Sequence, residues 1–372
     1  MQKHSCRLAL LACLLTSTAC IAAPSLGRVE KVPRDVYLMT VDGIFHGRVQ
    51  KGLGPPYLRY QWPGIYAEII VTDQDAYFSV AKEPVILHVY VDGTEVAKLV
   101  KPAAGIYQLA DLGRGSHVVR IESASENQAG PLKFGGFAVF HSERAVPPAP
   151  RKQQIEFIGD SHTVGYGNTS GKRECTEDEV WSTTDTSRAF GPLVAKHYDA
   201  DYQVNAISGR GIVRNYGGFK ADPLPLAYPF VLFDKAKAYQ DAKWKPRVIV
   251  ISLGTNDFST PLNAGEPWKT RDELHADYEA TYLKFLKSLR ARNPQALIIL
   301  WATDMANGEI QAEVKKVLDK FVSDGDKRTV FLPMNGLTLA ACNWHPSTQD
   351  DETIAAALIK VIDERAPGLK PR

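Results

Sequence analysis

Beyond Ala23 the sequence contains no run of roughly 18 consecutive apolar residues, the length that a membrane-spanning helix requires, so none of that stretch reads as a span. Internal repeats and low-complexity tracts are also missing, which argues against a solenoid or a large disordered region. Of nine histidines, His46, His88, His117, His141, His197 and His275 show no metal-ligand spacing, so neither a metal nor any other cofactor is expected. Charge of one sign is scarce as well. Met1–Ala23 holds Lys3 and Arg7 and no acid, so its removal turns a formal net charge of +2 into neutrality. A neutral chain is a poor match for nucleic acid.

Cysteine is nearly absent from the body of the chain. Three of the five, Cys6, Cys13 and Cys20, lie near the N-terminus and leave Cys175 and Cys342. The early segment has two positive charges, an apolar run from Leu8 to about Leu15, and small residues ending at Ala22 and Ala23. It reads as a cleaved signal peptide over residues 1–23, too short to be an anchor. The expected location is therefore periplasmic or extracellular. Lipidation at Cys20 is the alternative, and it fits less well because no Leu stands three residues upstream. In an oxidising compartment an even pair of cysteines predicts a disulfide between Cys175 and Cys342. Two separately buried thiols are the plainer alternative.

What remains is ample for more than one core. The 372 residues exceed the about 100 to 200 of an ordinary domain, and 44% are hydrophobic against 23% charged. From about residue 36 to 140, short β-branched and aromatic runs such as Ala67–Val71, Val85–Val91 and Ser116–Ile121 alternate with turn signals including Asp92-Gly93. That rhythm predicts an antiparallel sandwich, assigned to residues 30–143. Three prolines between Ala145 and Pro150 withhold donors and fix φ, which makes residues 144–152 the expected linker. Thereafter apolar runs at Ile155–Gly159, Gln203–Ile207, Val248–Leu253, Leu297–Trp301 and Thr329–Leu332 alternate with helical patterns. Leu274, Tyr278, Tyr282, Phe285, Leu286 and Leu289 share one helical face, and a closing helix is expected over Glu352–Glu364. Residues 153–370 therefore predict a three-layer α/β domain on a parallel sheet.

Chemistry gathers at the ends of those strands. Phe157-Ile158-Gly159-Asp160-Ser161 puts a serine at the carboxyl end of the first strand, where open α/β sheets hold their ligands. By itself Gly-Asp-Ser is weak, since a helix N-cap explains it equally well. Ser208-Gly209-Arg210-Gly211 follows the second strand, and Gly254-Thr255-Asn256-Asp257 follows the third. Asn343-Trp344-His345-Pro346 precedes the last helix.

The order Ser, Gly, Asn, His resembles the SGNH hydrolases, whose blocks include Gly-Asp-Ser, Gly-x-Asn-Asp and a late His-Pro. Gly159–Asn168, Ile207–Gly217 and Asn343–Ser347 behind a β-sandwich look more narrowly like carbohydrate esterase family 2. That resemblance implies a jelly-roll domain ahead of the hydrolase domain and an esterase that removes acetyl groups from plant polysaccharides. By the same resemblance Ser161 is the nucleophile and His345 the general base. The N–H groups of Ser161 and Gly209 and the side-chain amide of Asn256 form the oxyanion hole.

One position departs from the family pattern. Where many SGNH enzymes have Asp three residues before the histidine this chain has Cys342, and Asn343 stands where some family 2 esterases have Asp. Asn343 accepts an N–H through its side-chain oxygen but carries no charge, so the orienter of His345 is either Asn343 or a backbone carbonyl. The expectation is a Ser–His dyad, an arrangement the resemblance also allows.

Trp344, Asp160 and Asp257 are expected around the substrate, with Arg214, Asn215 and Tyr216 as a further wall or as structural residues. His162 is expected to line the site or to lie at the surface. The expected partner is an acetylated polysaccharide or oligosaccharide such as xylan, glucomannan or xyloglucan, and the protein is expected to be a monomer. Family members point to a primary 6-hydroxyl ester. A glycan-binding protein without turnover is the competing class, disfavoured because binding alone has no use for Ser, Gly, Asn and His together. A lipase or thioesterase lacks the long apolar segment that an acyl tunnel needs.

Overall fold

The computed structural model describes residues 23–29, 37–52 and 58–369. The expected signal peptide and Cys20 lie outside them, apart from Ala23. Two antiparallel sheets form the N-terminal unit. One runs in the order Ser25–Val29, Gly105–Ala110, Ala76–Val80, Leu132–Val139, Leu58–Tyr60 and Val49–Lys51. The other centres on Tyr66–Thr72, Ser116–Ser123 and Ile86–Val91. Alternation points Ile69, Val71, Val89, Val119 and Ile121 of one sheet at Phe78, Leu109, Phe137 and Val139 of the other, which closes a dry core.

Two boundaries differ from expectation. Ser25–Val29 pairs with Gly105–Ala110, so the sandwich includes residues before position 30. At the far end, Ala145–Val146 pairs antiparallel with Ile70–Val71, so the supposed linker opens as part of the sandwich. The prolines follow this two-residue strand at positions 147, 148 and 150 and take no ladder bond from it.

The second unit is built on a five-stranded parallel sheet in the order Ala200–Ala206, Gln153–Gly159, Val248–Ser252, Leu297–Thr303, Thr329–Met334. Helices cover both faces, which is why these strands read as continuous apolar runs. Ile249, Ile251, Ile298 and Leu300 pack under Arg271–Arg292 and Glu309–Ser323. Ile155, Phe157, Val250 and Ile299 pack under Phe190–His197 and Thr348–Arg365. Strand order reverses between Gln153–Gly159 and Val248–Ser252, the switch point at which such sheets open a crevice at their carboxyl ends.

Buried polar groups lock the two units together. Arg48 of the sandwich is 1% exposed and lies over the rings of Trp62, Tyr228 and Tyr239 at 5.0, 4.3 and 4.5 Å. It donates to the carbonyls of Tyr228 and Phe230 and pairs with Glu156 at 3.5 Å. Arg151, within the expected linker, bonds Glu68 at 2.8 Å and Asp201 at 2.9 Å, tying a residue of each unit to itself. Arg120 adds bonds to Glu68, Glu122 and the Tyr202 hydroxyl.

Candidate active site

Ser161 opens the one-turn helix Ser161–Val164 directly behind the first strand of the parallel sheet. Asp160 caps that turn by accepting from the His162 N–H at 3.1 Å. Gly159 is required at the bend, because a Cβ there would fall 2.0 Å from Thr163 Oγ1 and 3.0 Å from the Ser252 carbonyl. The bend delivers Ser161 to the switch-point crevice at the positive end of a helix turn.

His345 meets it from the loop before the last helix. Its Nε2 lies 2.8 Å from Ser161 Oγ. On the other side of the ring, Nδ1 lies 2.9 Å from the Cys342 carbonyl and 3.0 Å from the Asn343 carbonyl. Both partners are acceptors, so Nδ1 carries the proton and Nε2 is left as the acceptor for the serine hydroxyl. Burial pushes the imidazole down to about 4, against the opposing pull of the two carbonyls. The neutral, proton-accepting form therefore prevails at neutral pH.

A left-handed turn makes this geometry. Asn343 and Trp344 have φ of 51° and 56°, a costly conformation for residues with a Cβ. It points two successive carbonyls at His345. Three contacts hold the turn: Asn343 N–H donates to the Arg173 carbonyl at 2.6 Å, Ala341 N–H donates to the His345 carbonyl at 3.2 Å, and Cys342 is bonded through sulfur to Cys175. The Asn343 side chain is elsewhere, donating to Tyr166 Oη at 3.2 Å. It is the backbone of Asn343, and not its amide, that faces the histidine.

The same turn sends Trp344 outward. It is 52% exposed and stands outside the residues that line the cavity. Asp160 and Asp257 are also not walls, since both are fully buried. Burial raises Asp160 to about 7, with the charge of Asp257 adding to it. Burial likewise raises Asp257 to about 6, although it accepts N–H bonds from Ile212, Val213 and Arg214 that act in the opposite direction. Asp257 thus shapes the loop after the second strand. Arg214 is buried against Glu266 at 2.6 Å and is structural. His162 is buried too, stacked on Trp301 and edge-on to His345, and neither lines the cavity nor reaches the surface.

Ser161, Gly209, Asn256 and His345 share a cavity of about 410 Å³ with Gln128, Tyr166, Ser208, Tyr216, Phe219 and Asn343. Gly209 has φ of +80° and packs beneath the Phe219 ring, which a Cβ would meet at 3.1 Å. Asn256 Nδ2 lies 3.1 Å from Asp160 Oδ2 and 2.9 Å from the Arg210 carbonyl. Both hydrogens of that amide are therefore engaged within the protein. The ring of Tyr166 covers His345 with centroids 4.3 Å apart.

Sequence reasoning missed the contribution of the sandwich. Glu126 accepts the Ser208 N–H at 2.7 Å, and Gln128 Nε2 donates to the Ser208 carbonyl at 3.0 Å. Both peptide groups of the residue just before Gly209 are therefore held from the other domain. Burial raises the Glu126 carboxyl above its ordinary range, with the Ser208 contact pulling against it. Among the described residues, no cluster of His, Cys, Asp and Glu is arranged to hold a metal.

Residues 45–150 match the family model described as carbohydrate esterase 2 N-terminal, and residues 157–362 match the GDSL-like lipase/acylhydrolase family. An acetylxylan esterase / glucomannan deacetylase of Cellvibrio japonicus (strain Ueda107) is 44% identical over 312 residues, 84% of this chain and 87% of that relative. Among solved structures, a carbohydrate esterase whose active site displays divergent catalytic and non-catalytic binding functions superposes with a TM-score of 0.82 at 41% identity. That match covers 89% of this chain and 99% of the other. A family two carbohydrate esterase from Clostridium thermocellum in complex with cellohexaose superposes with a TM-score of 0.74 over 88% of this chain and 100% of its own. At 23% identity it attests the fold alone.

Proposed function

Because the chain belongs to carbohydrate esterase family 2, we propose that it removes O-acetyl groups from plant cell-wall polysaccharides such as acetylated xylan, glucomannan or xyloglucan. The reading rests on the 2.8 Å contact between His345 Nε2 and Ser161 Oγ inside an open cavity. As Ser161 Oγ attacks the acetyl carbonyl, His345 Nε2 takes the hydroxyl proton. The oxyanion so formed is met by the N–H of Ser161, the N–H of Gly209 and the amide of Asn256. Collapse breaks the ester C–O bond, and His345 returns the proton to the departing sugar oxygen. Water then repeats the sequence on the acetyl-serine, releasing acetate. The Cys342 and Asn343 carbonyls orient the imidazole throughout, so that Ser161 and His345 act as a dyad.

Tyr166, Tyr216 and Phe219 give the cavity aromatic walls, suited to the apolar faces of sugar rings. The exported, periplasmic or extracellular location belongs to the same proposal, since polymeric cell-wall substrate is met outside the cytoplasm. The test is acetate release from a panel of acetylated polysaccharides, with NMR assignment of the hydroxyl that loses its acetyl. Wild type releases acetate and Ser161→Ala does not. Equal release by both would sink the proposal.

A further inference from the structure

At the amino ends of the parallel strands, opposite the active site, lies a cavity of about 720 Å³ whose charged residues are Lys245, Arg247, Arg292, Arg328 and Arg365. No carboxylate lines it. None of the five cations forms a salt bridge with a described carboxylate, whereas the adjacent Arg290 is paired with Asp326 at 2.6 Å. Arg247 Nη1 is held by neutral acceptors only, Gln153 Oε1 at 3.2 Å and the Gly368 carbonyl at 3.3 Å. Charge is thus segregated in a chain that is formally neutral without residues 1–23.

Clustered unpaired cations repel one another and raise the local potential for an anion. Four of the five are guanidinium groups, whose planar fork matches a carboxylate bidentately. The cavity sits before Val248–Ser252, Leu297–Thr303 and Thr329–Met334, while the nucleophile follows the strand ends. Strands of five to seven residues put roughly 20 Å between the two places at about 3.3 Å per residue.

We propose that this cavity is a second, non-catalytic binding site for a carboxylated polysaccharide, one bearing uronic acid units. The proposal rests on the polysaccharide esterase reading for its choice of polymer. It lets the enzyme hold an acidic cell-wall chain at one end while acetyl groups are presented to Ser161 at the other. Recognition is electrostatic, so it weakens with salt and leaves the chemistry at Ser161 untouched.

The probe is polygalacturonate in affinity electrophoresis, with wild type, the double variant Arg328→Gln/Arg365→Gln and a second double variant Lys245→Gln/Arg292→Gln. All four changed positions are exposed; Arg292 also lies over the Tyr228 ring at 5.0 Å, so a melting curve accompanies 4-nitrophenyl acetate hydrolysis as the control. Wild type is retarded at low salt and released at high salt. Each variant binds at least about tenfold more weakly with unchanged hydrolysis of the small ester, as expected for removing two cationic contacts. Equal retardation of variants and wild type overturns the proposal. So does absence of retardation, or equally strong retardation of wild type by duplex DNA. Binding is read without turnover, so an enzyme that binds polygalacturonate yet frees no acetate from any polysaccharide refutes the esterase reading and leaves the second site standing.

Discussion

At the residue scale the decisive atoms are two carbonyl oxygens. His345 Nδ1 is oriented by the backbone of Cys342 and Asn343, so the proposed mechanism makes no use of the Asn343 side chain. Asn343→Ala is expected to keep kcat within about tenfold of wild type, whereas losing the nucleophile costs at least about a thousandfold. Steady-state kinetics on an acetyl ester separates the two. The same burial sets the pH response. On the proposed mechanism His345 must be neutral to accept the proton, and its imidazole is pushed down to about 4, so loss of kcat/KM through protonation of His345 is expected only as pH drops through about 4. A half-maximum near 6.5 that persists in Asp160→Asn, which removes the buried carboxyl raised to about 7, would mean an ordinary imidazole. The pairing of Ser161 with His345 was legible because each occupies a strand end or helix entry that its neighbours announce. The outward direction of Trp344 was not legible because nothing in Cys-Asn-Trp-His reveals two successive left-handed residues, and that turn decides which side chain faces solvent.

Among elements, the loop after Ala200–Ala206 carries the greatest burden, because it supplies Gly209 and is held from both sides. Asp257 fastens it from the hydrolase unit, and Glu126 with Gln128 from the sandwich. Glu126→Ala leaves the buried Ser208 N–H without its acceptor. The expected result is a fall in kcat of about 10- to 100-fold, since small misplacement of a catalytic group costs on that order, with KM little changed. Glu126→Gln, which retains an acceptor oxygen, is expected to recover most of the loss. A melting curve on both variants distinguishes loop displacement from unfolding. The parallel strands were readable as apolar runs because helices bury both of their faces. This clamp was not, since it joins residues 82 apart across two units and no periodicity records such a pairing. The Ala145–Val146 strand was hidden for a related reason: two residues are too few to show alternation beside a cluster of prolines.

For the whole molecule, the domain junction buries polar groups among aromatic side chains, with Trp62 and Tyr66 of the sandwich joining the hydrolase cores. Arg48 has no water to retreat to, with Glu156 and three aromatic rings around it. Arg48→Ala is expected to destabilise the protein by about 3 kcal/mol, because it removes the counter-charge of the buried Glu156 carboxylate, which keeps its bonds from Asn205 and Tyr228. Chemical denaturation measures this, and a change within 1 kcal/mol, about the scale of an exposed pair, would show the junction to be solvated. The grip of Glu126 and Gln128 on Ser208 carries a further consequence for modularity. A chimera that couples this hydrolase unit to a foreign sugar-binding module would lack both side chains, however well that module bound glycan. The two domains are thus expected to work as one catalyst, and substitutions around Ser208 in the hydrolase to track substitutions at positions 126 and 128 in the sandwich.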